Sequence, residues 1–172
     1  MFDMGKLNVG DKHEFYEQLN TNLTGLVSEE DWLAGIANAS ALLYLLLPDI
    51  NWAGFYLYKG GELVLGPFQG KPACIRIPLG KGVCGTAAKT RKIQVVDDVN
   101  QFPGHIACDA SSQSEIVIPI IKDDKLIGVL DIDSQIKARF DQQDANGLSK
   151  FVDILRNNMD WPDIIASGQS DS

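Results

Sequence analysis

The chain has 172 residues, of which 45% are hydrophobic, and 23 acidic against 15 basic side chains give it a formal net charge of −8. This length and composition predict one globular domain over residues 1–172, with a core over about 12–160. The negative charge argues against a nucleic-acid partner, because phosphate binding needs clustered lysine and arginine.

The sequence shows no sign of secretion or of membrane insertion. No cationic start followed by an apolar segment resembles a signal peptide, and the longest apolar run, at 41–48, is too short to span a bilayer. The three cysteines are an odd number, which favours a reducing compartment. We therefore expect a cytoplasmic protein without a membrane partner.

Two helices are predicted in the first fifty residues. Apolar side chains recur every three or four positions over residues 12–26, which predicts the first helix. Ser28 and Asp31 resemble a capping box at the start of a second helix, and Pro48 ends that helix.

From residue 51 the apolar period changes to two, which predicts a sheet. The predicted strands are 52–58, 62–65, 74–79, 93–96, 115–121 and 125–132. The other predicted segments are a short helix at 86–91, a long loop at 97–114, a final helix at 141–159 and a disordered tail at 163–172. This order predicts an α+β fold with a central antiparallel sheet.

The three cysteines are the first candidates for chemistry. Cys84 lies in a glycine-rich run, Cys108 lies in the predicted loop, and Cys74 begins a predicted strand. Because the thiolate is the reactive form, a cysteine on a polar loop is the better nucleophile, and further cysteines could resolve it as a disulfide. The alternative is that all three are small buried hydrophobic residues, which suits Cys74 best.

A metal site is the second alternative for these residues. His105 and the three cysteines lack the paired C-x-x-C spacing of structural zinc sites. The sequence therefore predicts no bound metal.

The glycine run does not predict a cofactor. Gly80, Gly82 and Gly85 match G-x-G-x-x-G, but only a short helix fits before the next strand, and Thr86 stands where a Walker motif needs lysine. The glycines more simply allow a tight turn near a ligand or near Cys84.

Three carboxylates are expected near one another. Asp131 and Asp133 stand two positions apart on one strand and share a face with Val129, and Glu115 opens the preceding strand of the same hairpin. Such a group could bind an ammonium ion, and mutual repulsion could keep one carboxyl protonated as a proton donor. The alternative is a strand end that emerges into solvent.

Trp52 and Tyr56 lie on the first predicted strand. Buried aromatic residues usually belong to a core, but a tryptophan at a strand start can also form the wall of a small-ligand pocket and contact a methyl or sulfur group. Sequence patterning leaves both interpretations open.

Several segments together resemble one known family, the free methionine-(R)-sulfoxide reductases, which are single-domain GAF proteins. The segments are Asn51-Trp-Ala-Gly-Phe-Tyr-Leu, Leu65-Gly-Pro-Phe-Gln-Gly-Lys-Pro-Ala-Cys, Gly80-Lys-Gly-Val-Cys-Gly-Thr-Ala, Phe102-Pro-Gly-His-Ile-Ala-Cys-Asp and Ser114-Glu-Ile-Val-Ile-Pro. The resemblance covers roughly residues 12–160.

The resemblance implies a GAF fold, with the terminal helices on one sheet face and ligand-covering loops on the other. It implies reduction of the free R epimer of methionine sulfoxide, with thioredoxin as reductant and no cofactor. By position, Cys108 would be the nucleophile, Cys84 the main resolving cysteine and Cys74 an auxiliary thiol. A homodimer is implied by analogy only.

The positions that match the family's substrate pocket are Trp52, Tyr56, Glu115, Asp131 and Asp133. The first alternative function is a GAF sensory module that binds a small ligand without catalysis. The second is a structural or metal-binding interaction protein.

Overall fold

The computed structural model describes residues 11–28, 31–106, 108–163 and 165. Four α-helices are present among them: α1 (Lys12–Leu26), α2 (Trp32–Leu46), α3 (Gly82–Thr90) and α4 (Gln142–Asn158). Six strands are present: β1 (Trp52–Lys59), β2 (Glu62–Gly70), β3 (Arg76–Pro78), β4 (Gln94–Val96), β5 (Ser114–Lys122) and β6 (Lys125–Ser134).

The strands form one sheet in the order β3-β2-β1-β6-β5-β4, and every neighbouring pair is antiparallel. The two central strands, β1 and β6, are far apart in the sequence, so their pairing joins the two halves of the chain. This is the predicted α+β fold with a central antiparallel sheet.

Alternation along the strands divides the sheet into two faces. Ala53, Phe55 and Leu57 of β1 point to the same core as Leu130 and Ile132 of β6. Apolar residues of α1, α2 and α4 fill that core. The predicted packing of the terminal helices on one face is therefore confirmed.

The opposite face carries α3 and the loops. Trp52, Tyr56, Val117 and Val129 belong to a second apolar cluster together with Cys84 of α3. The described residues between β4 and β5 include a short 3₁₀ helix, Val99–Gln101. This side of the sheet holds the candidate site.

The first two helices start where their caps allow. The Asp11 carboxylate accepts a hydrogen bond from the Glu14 amide at the start of α1. The Asp31 carboxylate accepts one from the Ala34 amide at the start of α2. The predicted start at Ser28 was therefore too early, because Asp31 is the residue that caps the helix.

Two elements differ in length from the prediction. β2 continues to Gly70, because a bulge keeps it paired with β1 beyond Gly54. α3 begins at Gly82 and not at Thr86, so Cys84 lies in its first turn.

Within the described part of the chain, no helix combines the length and the apolar composition needed to cross a bilayer. The predicted tail at 163–172 lies almost entirely outside the described residues.

Candidate active site

The pairing register of the β5–β6 hairpin brings three carboxyl groups together. Glu115 pairs directly with Asp133, and Val117 pairs with Asp131. Directly paired residues of antiparallel strands point to the same face. The three carboxyl groups therefore lie on one face of this hairpin, as expected. The alternative, a strand end that emerges into solvent, is wrong because Glu115 and Asp131 are buried.

Aromatic residues of β1 form a wall beside these carboxyl groups. Trp52 pairs with Asp133 in the β1–β6 register, and Tyr56 pairs with Val129. The Trp52 ring stacks on Phe68 at 5.1 Å between centroids and on Tyr56 at 6.0 Å. The Trp52 indole N–H donates to the Lys71 carbonyl at 3.1 Å, which fixes the ring.

The glycine run shapes the turn that leads into α3. Gly80 and Gly82 have φ angles of 82° and 62°, which favour glycine over any other residue. A side chain on Gly85 would lie 2.5 Å from the Pro78 carbonyl oxygen, so only glycine lets the helix approach β3 this closely. The run therefore seats the first turn of α3, and with it Cys84, against the sheet.

Cys84 meets the carboxyl cluster from above. Its Sγ lies 3.8 Å from Oε1 of Glu115, and the thiol is buried. Burial, followed by the charges of Asp131 and Glu115, raises the pKa of the Cys84 thiol well above its usual range. This cysteine is therefore held as a neutral thiol.

The carboxyl groups are also held toward their neutral forms. Burial raises the pKa of Glu115 well above its usual range, and the charges of Asp131 and Asp133 raise it further. Burial raises the pKa of Asp131, and burial together with the Asp131 charge raises that of Asp133. The cluster therefore retains protons that exposed carboxylates would lose, and it can act as a proton donor.

A disulfide joins Cys74 and Cys108 at the edge of the site, with 5.8 Å between the two Cα atoms. Cys108 is exposed and Cys74 is partly buried. The Tyr56 hydroxyl donates to the Cys74 carbonyl at 2.9 Å, and burial raises the pKa of that hydroxyl, which keeps it a donor. The disulfide is thereby tied to β1.

The pairing differs from the one that the family resemblance implied. That resemblance made Cys84 the main resolving partner of Cys108, whereas in the structure Cys108 is bonded to Cys74 and Cys84 is free. Cys84 is held by the first turn of α3 and buried against carboxyl groups, while Cys74 lies on the outer edge with Cys108.

Asp109 organises the loop that carries Cys108. Its carboxylate accepts hydrogen bonds from the Ser111 amide at 2.9 Å, the Ser111 hydroxyl at 2.6 Å and the Asn51 side-chain amide at 3.2 Å. The Lys71 Nζ lies 3.8 Å from Oδ1 of Asp109. These hydrogen bonds from Ser111 lower the pKa of Asp109 and keep it charged.

Sequence reasoning missed this anchor. Asp109 follows Cys108 directly, which was the one available signal. Asn51 and Lys71 reach it from segments 58 and 38 positions away, and only the fold shows that they meet.

A small cavity of about 40 Å³ lies between these groups. Seven of the eight predicted site residues line it, and the eighth, Cys74, is bonded to one of them. The seven are Trp52, Tyr56, Cys84, Cys108, Glu115, Asp131 and Asp133. The arrangement combines an oxidised pair of sulfur atoms, a cluster of carboxyl groups with raised pKa values and an aromatic wall.

This fold and this site are those of a GAF domain, and the GAF domain family matches residues 33–158. The chain is 56% identical to the free methionine-R-sulfoxide reductase of Escherichia coli (strain K12), over 82% of this chain and 86% of the relative. It is 47% identical to the enzyme of that name from Saccharomyces cerevisiae, over 86% and 87% of the two chains. The chain therefore belongs to the free methionine-R-sulfoxide reductase family.

A solved structure agrees with this assignment. The free methionine-R-sulfoxide reductase of Neisseria meningitidis, determined in complex with its substrate, superposes with a TM-score of 0.85 at 44% identity. The similarity covers 88% of this chain and 92% of that one.

The raised pKa of Glu115 has a consequence for stability. The folded protein holds the Glu115 proton more tightly than the unfolded chain does. The contribution of this group to the free energy of unfolding is therefore complete below the Glu115 pKa of the unfolded chain, and it is lost as the pH rises through the Glu115 pKa of the folded protein. Glu115→Gln cannot ionise, and we expect it to exceed the wild type at alkaline pH by roughly 1 kcal/mol or more in free energy of unfolding.

The measurement is urea unfolding of both proteins from about pH 4, near the pKa of a free glutamate, to alkaline pH. The advantage should shrink toward the acid end. Asp98→Asn is the control, because Asp98 is paired with Lys137 and its pKa is lowered by that hydrogen bond. Equal stability of Glu115→Gln and wild type at alkaline pH would contradict a protonated, buried Glu115.

Proposed function

We propose that this protein reduces free L-methionine-(R)-sulfoxide to L-methionine through a cysteine sulfenic acid and an intramolecular disulfide. The observation that carries the proposal is the Cys74–Cys108 disulfide, which borders a cavity lined by three carboxyl groups of raised pKa. A sensor that only binds a ligand has no need for a disulfide at its pocket.

The first step transfers oxygen from the substrate to Cys108. The Cys108 thiolate attacks the sulfoxide sulfur while a protonated carboxyl of the cluster donates a proton to the sulfoxide oxygen. The attack forms a bond between the Cys108 sulfur and the substrate sulfur. As the hydroxyl group then passes to the Cys108 sulfur, this bond and the sulfur–oxygen bond of the substrate break, methionine leaves, and Cys108 becomes a sulfenic acid. Glu115 is a suitable donor, since burial favours its protonated form.

The second step closes the disulfide. The Cys74 thiol condenses with the sulfenic acid of Cys108, which forms the sulfur–sulfur bond and releases water. The bond between these two residues supports Cys74 as the resolving cysteine. Cys84 is then a residue of the pocket wall, a neutral thiol beside Glu115, and not the resolving cysteine. No step requires a cofactor.

The pocket residues suit a small zwitterion with an oxidised sulfur. Asp131 and Asp133 offer negative charge to the free ammonium group, which a peptide-bound methionine lacks. Trp52 and Tyr56 offer aromatic surface to the methyl group and the sulfur. This division explains a preference for the free amino acid over the protein-bound residue.

The cavity has room for a water molecule or two but not for an amino acid. Cys108 and Ile106 lie in the loop that covers it. We therefore propose that the loop moves outward when the disulfide is reduced, and that substrate binds only to the reduced protein.

The decisive assay mixes the protein with both epimers of free methionine sulfoxide and dithiothreitol, and follows methionine and the remaining epimer by chiral chromatography. The wild type should consume the R epimer alone. Cys108→Ser should lose at least about a thousandfold in turnover, because it removes the nucleophile. Asp133→Asn should lose most turnover, while its melting temperature stays close to that of the wild type.

Cys74→Ser separates the two steps of the proposal. With substrate and no reductant, this variant should release about one methionine per chain and accumulate a sulfenic acid that dimedone traps on Cys108. Absence of methionine from the wild type, or full turnover by Cys108→Ser, would rule out the reductase.

We further propose a cytoplasmic dithiol protein of the thioredoxin type as the physiological reductant. The disulfide is accessible at Cys108, and two exposed apolar side chains flank it, Ile75 at 69% and Ile106 at 36% exposure. An exposed disulfide in an apolar surround suits the contact surface of a dithiol reductase.

Ile75→Asp tests this docking surface. We expect the KM for thioredoxin to rise about tenfold, which corresponds to about 1.4 kcal/mol of contact energy, while turnover with dithiothreitol is retained. Ile93→Asp is the control, because Ile93 is an exposed apolar residue outside the site. An equal KM for Ile75→Asp and wild type would show that the reductant does not bind to this surface.

We also propose a homodimer through α2. This helix carries no charged side chain from Trp32 to Leu46, and it exposes three large apolar residues: Leu33, Tyr44 and Leu45. The chain's net charge of −8 opposes contact between two copies elsewhere. An antiparallel two-fold contact sets Leu33 of one copy against Leu45 of the other, with small residues between them.

Leu45→Glu should convert the dimer to a monomer, because it places a charge at both ends of an otherwise apolar contact. Sedimentation velocity over a concentration series measures the change. Ile93→Glu is the matched control and should stay dimeric. A monomeric wild type, or a dimeric Leu45→Glu, would overturn this interface.

A further inference from the structure

Three buried side chains in the pocket form a group of possible metal donors. Cys84, Glu115 and Asp131 each offer one ligand atom, and these atoms lie within 4.8 Å of one another. Cys84 Sγ and Glu115 Oε1 are 3.8 Å apart. All three residues are at least nine-tenths buried.

One of these donors has an unused atom. Oδ1 of Asp131 is buried and has no hydrogen-bond partner among the described residues. Asp131 itself is 5% exposed and lines the cavity. A buried carboxylate oxygen without a partner is costly, so it points to a ligand that supplies positive charge or a proton.

We infer that Cys84, Glu115 and Asp131 bind a zinc ion that competes with the substrate. Zinc accepts thiolate and carboxylate ligands at about 2.3 Å and about 2.0–2.2 Å, so a tetrahedral ion separates sulfur and oxygen by roughly 3.5 Å. The 3.8 Å between Cys84 Sγ and Glu115 Oε1 needs only a small adjustment to meet this.

The donor types select among metals. Magnesium and calcium require sets of oxygen ligands, and the cysteine sulfur excludes them in favour of zinc or cadmium. The three ligands supply three negative charges once the Cys84 thiol and both carboxyl groups have lost their protons, against two positive charges on the ion. The cavity of about 40 Å³ leaves space for a water as the fourth ligand.

The spacing of cysteine and histidine in the sequence does not predict this set. A single cysteine of α3 meets carboxylates from β5 and β6, which are separate in the chain. The ion is an inhibitor and not a resident cofactor, since Glu115 must otherwise donate its proton. This inhibitory role rests on the proposed function, but the binding itself does not.

The binding experiment uses the oxidised protein. Of three cysteines, Cys74 and Cys108 are then in the disulfide, so Cys84 is the one thiol available to a metal. Zinc is titrated against a chromophoric chelator, and cobalt is titrated as a spectroscopic substitute. We expect one metal per chain and a sulfur-to-cobalt charge-transfer band.

Cys84→Ser and Asp131→Asn should each weaken zinc binding by at least the roughly 10–100-fold that loss of an outer-shell partner costs. Cys84→Ser should also abolish the charge-transfer band. His105→Asn and Asp98→Asn are the controls and should bind zinc like the wild type, because His105 lines the cavity outside the donor set and Asp98 is remote. Thermal unfolding confirms that each variant is folded.

Two results would overturn the site: unchanged zinc affinity in Cys84→Ser, or loss of zinc from His105→Asn with retention in Cys84→Ser. In the reduced wild type, zinc should raise the KM for methionine sulfoxide without lowering kcat. A protein that binds zinc at this site but reduces no methionine sulfoxide would refute the proposed function and leave the metal site intact.

Discussion

The site depends on the register of two paired strands. Because Glu115 lies opposite Asp133 and Val117 lies opposite Asp131, three carboxyl groups stand on one sheet face. Burial makes the ionised forms unfavourable and raises the pKa of each of these three groups. The cluster therefore retains protons. A shift of the register by one residue would turn these groups into the apolar core beneath the helices.

The loops above the sheet are attached to that same frame by polar contacts. Trp52 holds the Lys71 carbonyl, and Tyr56 holds the Cys74 carbonyl. On the other side, Asn51 donates to Asp109 beside Cys108. All three anchors lie on or next to β1. The strand therefore positions both cysteines of the disulfide, although they come from different loops.

The three cysteines differ because their surroundings differ. Cys108 is exposed on a loop that hydrogen bonds organise around Asp109. Cys74 lies at the edge, within bonding distance of it. Cys84 is buried in the first turn of α3, where nearby carboxyl groups disfavour its thiolate. The chemistry available to each sulfur follows from burial and neighbouring charge, not from its position in the sequence.

Local periodicity in the sequence predicts the α+β class, the approximate position of each described strand and the two faces of β6. The sequence also singled out seven of the residues that line the cavity, partly through family resemblance. The partner of Cys108, the start of α3 at Gly82 and the anchoring of Asp109 were decided only by the tertiary structure. Each depends on contacts between separate elements of the fold: Cys108 bonds Cys74, Gly85 approaches Pro78, and Asn51 reaches Asp109. Local sequence patterns carry no information on these distances.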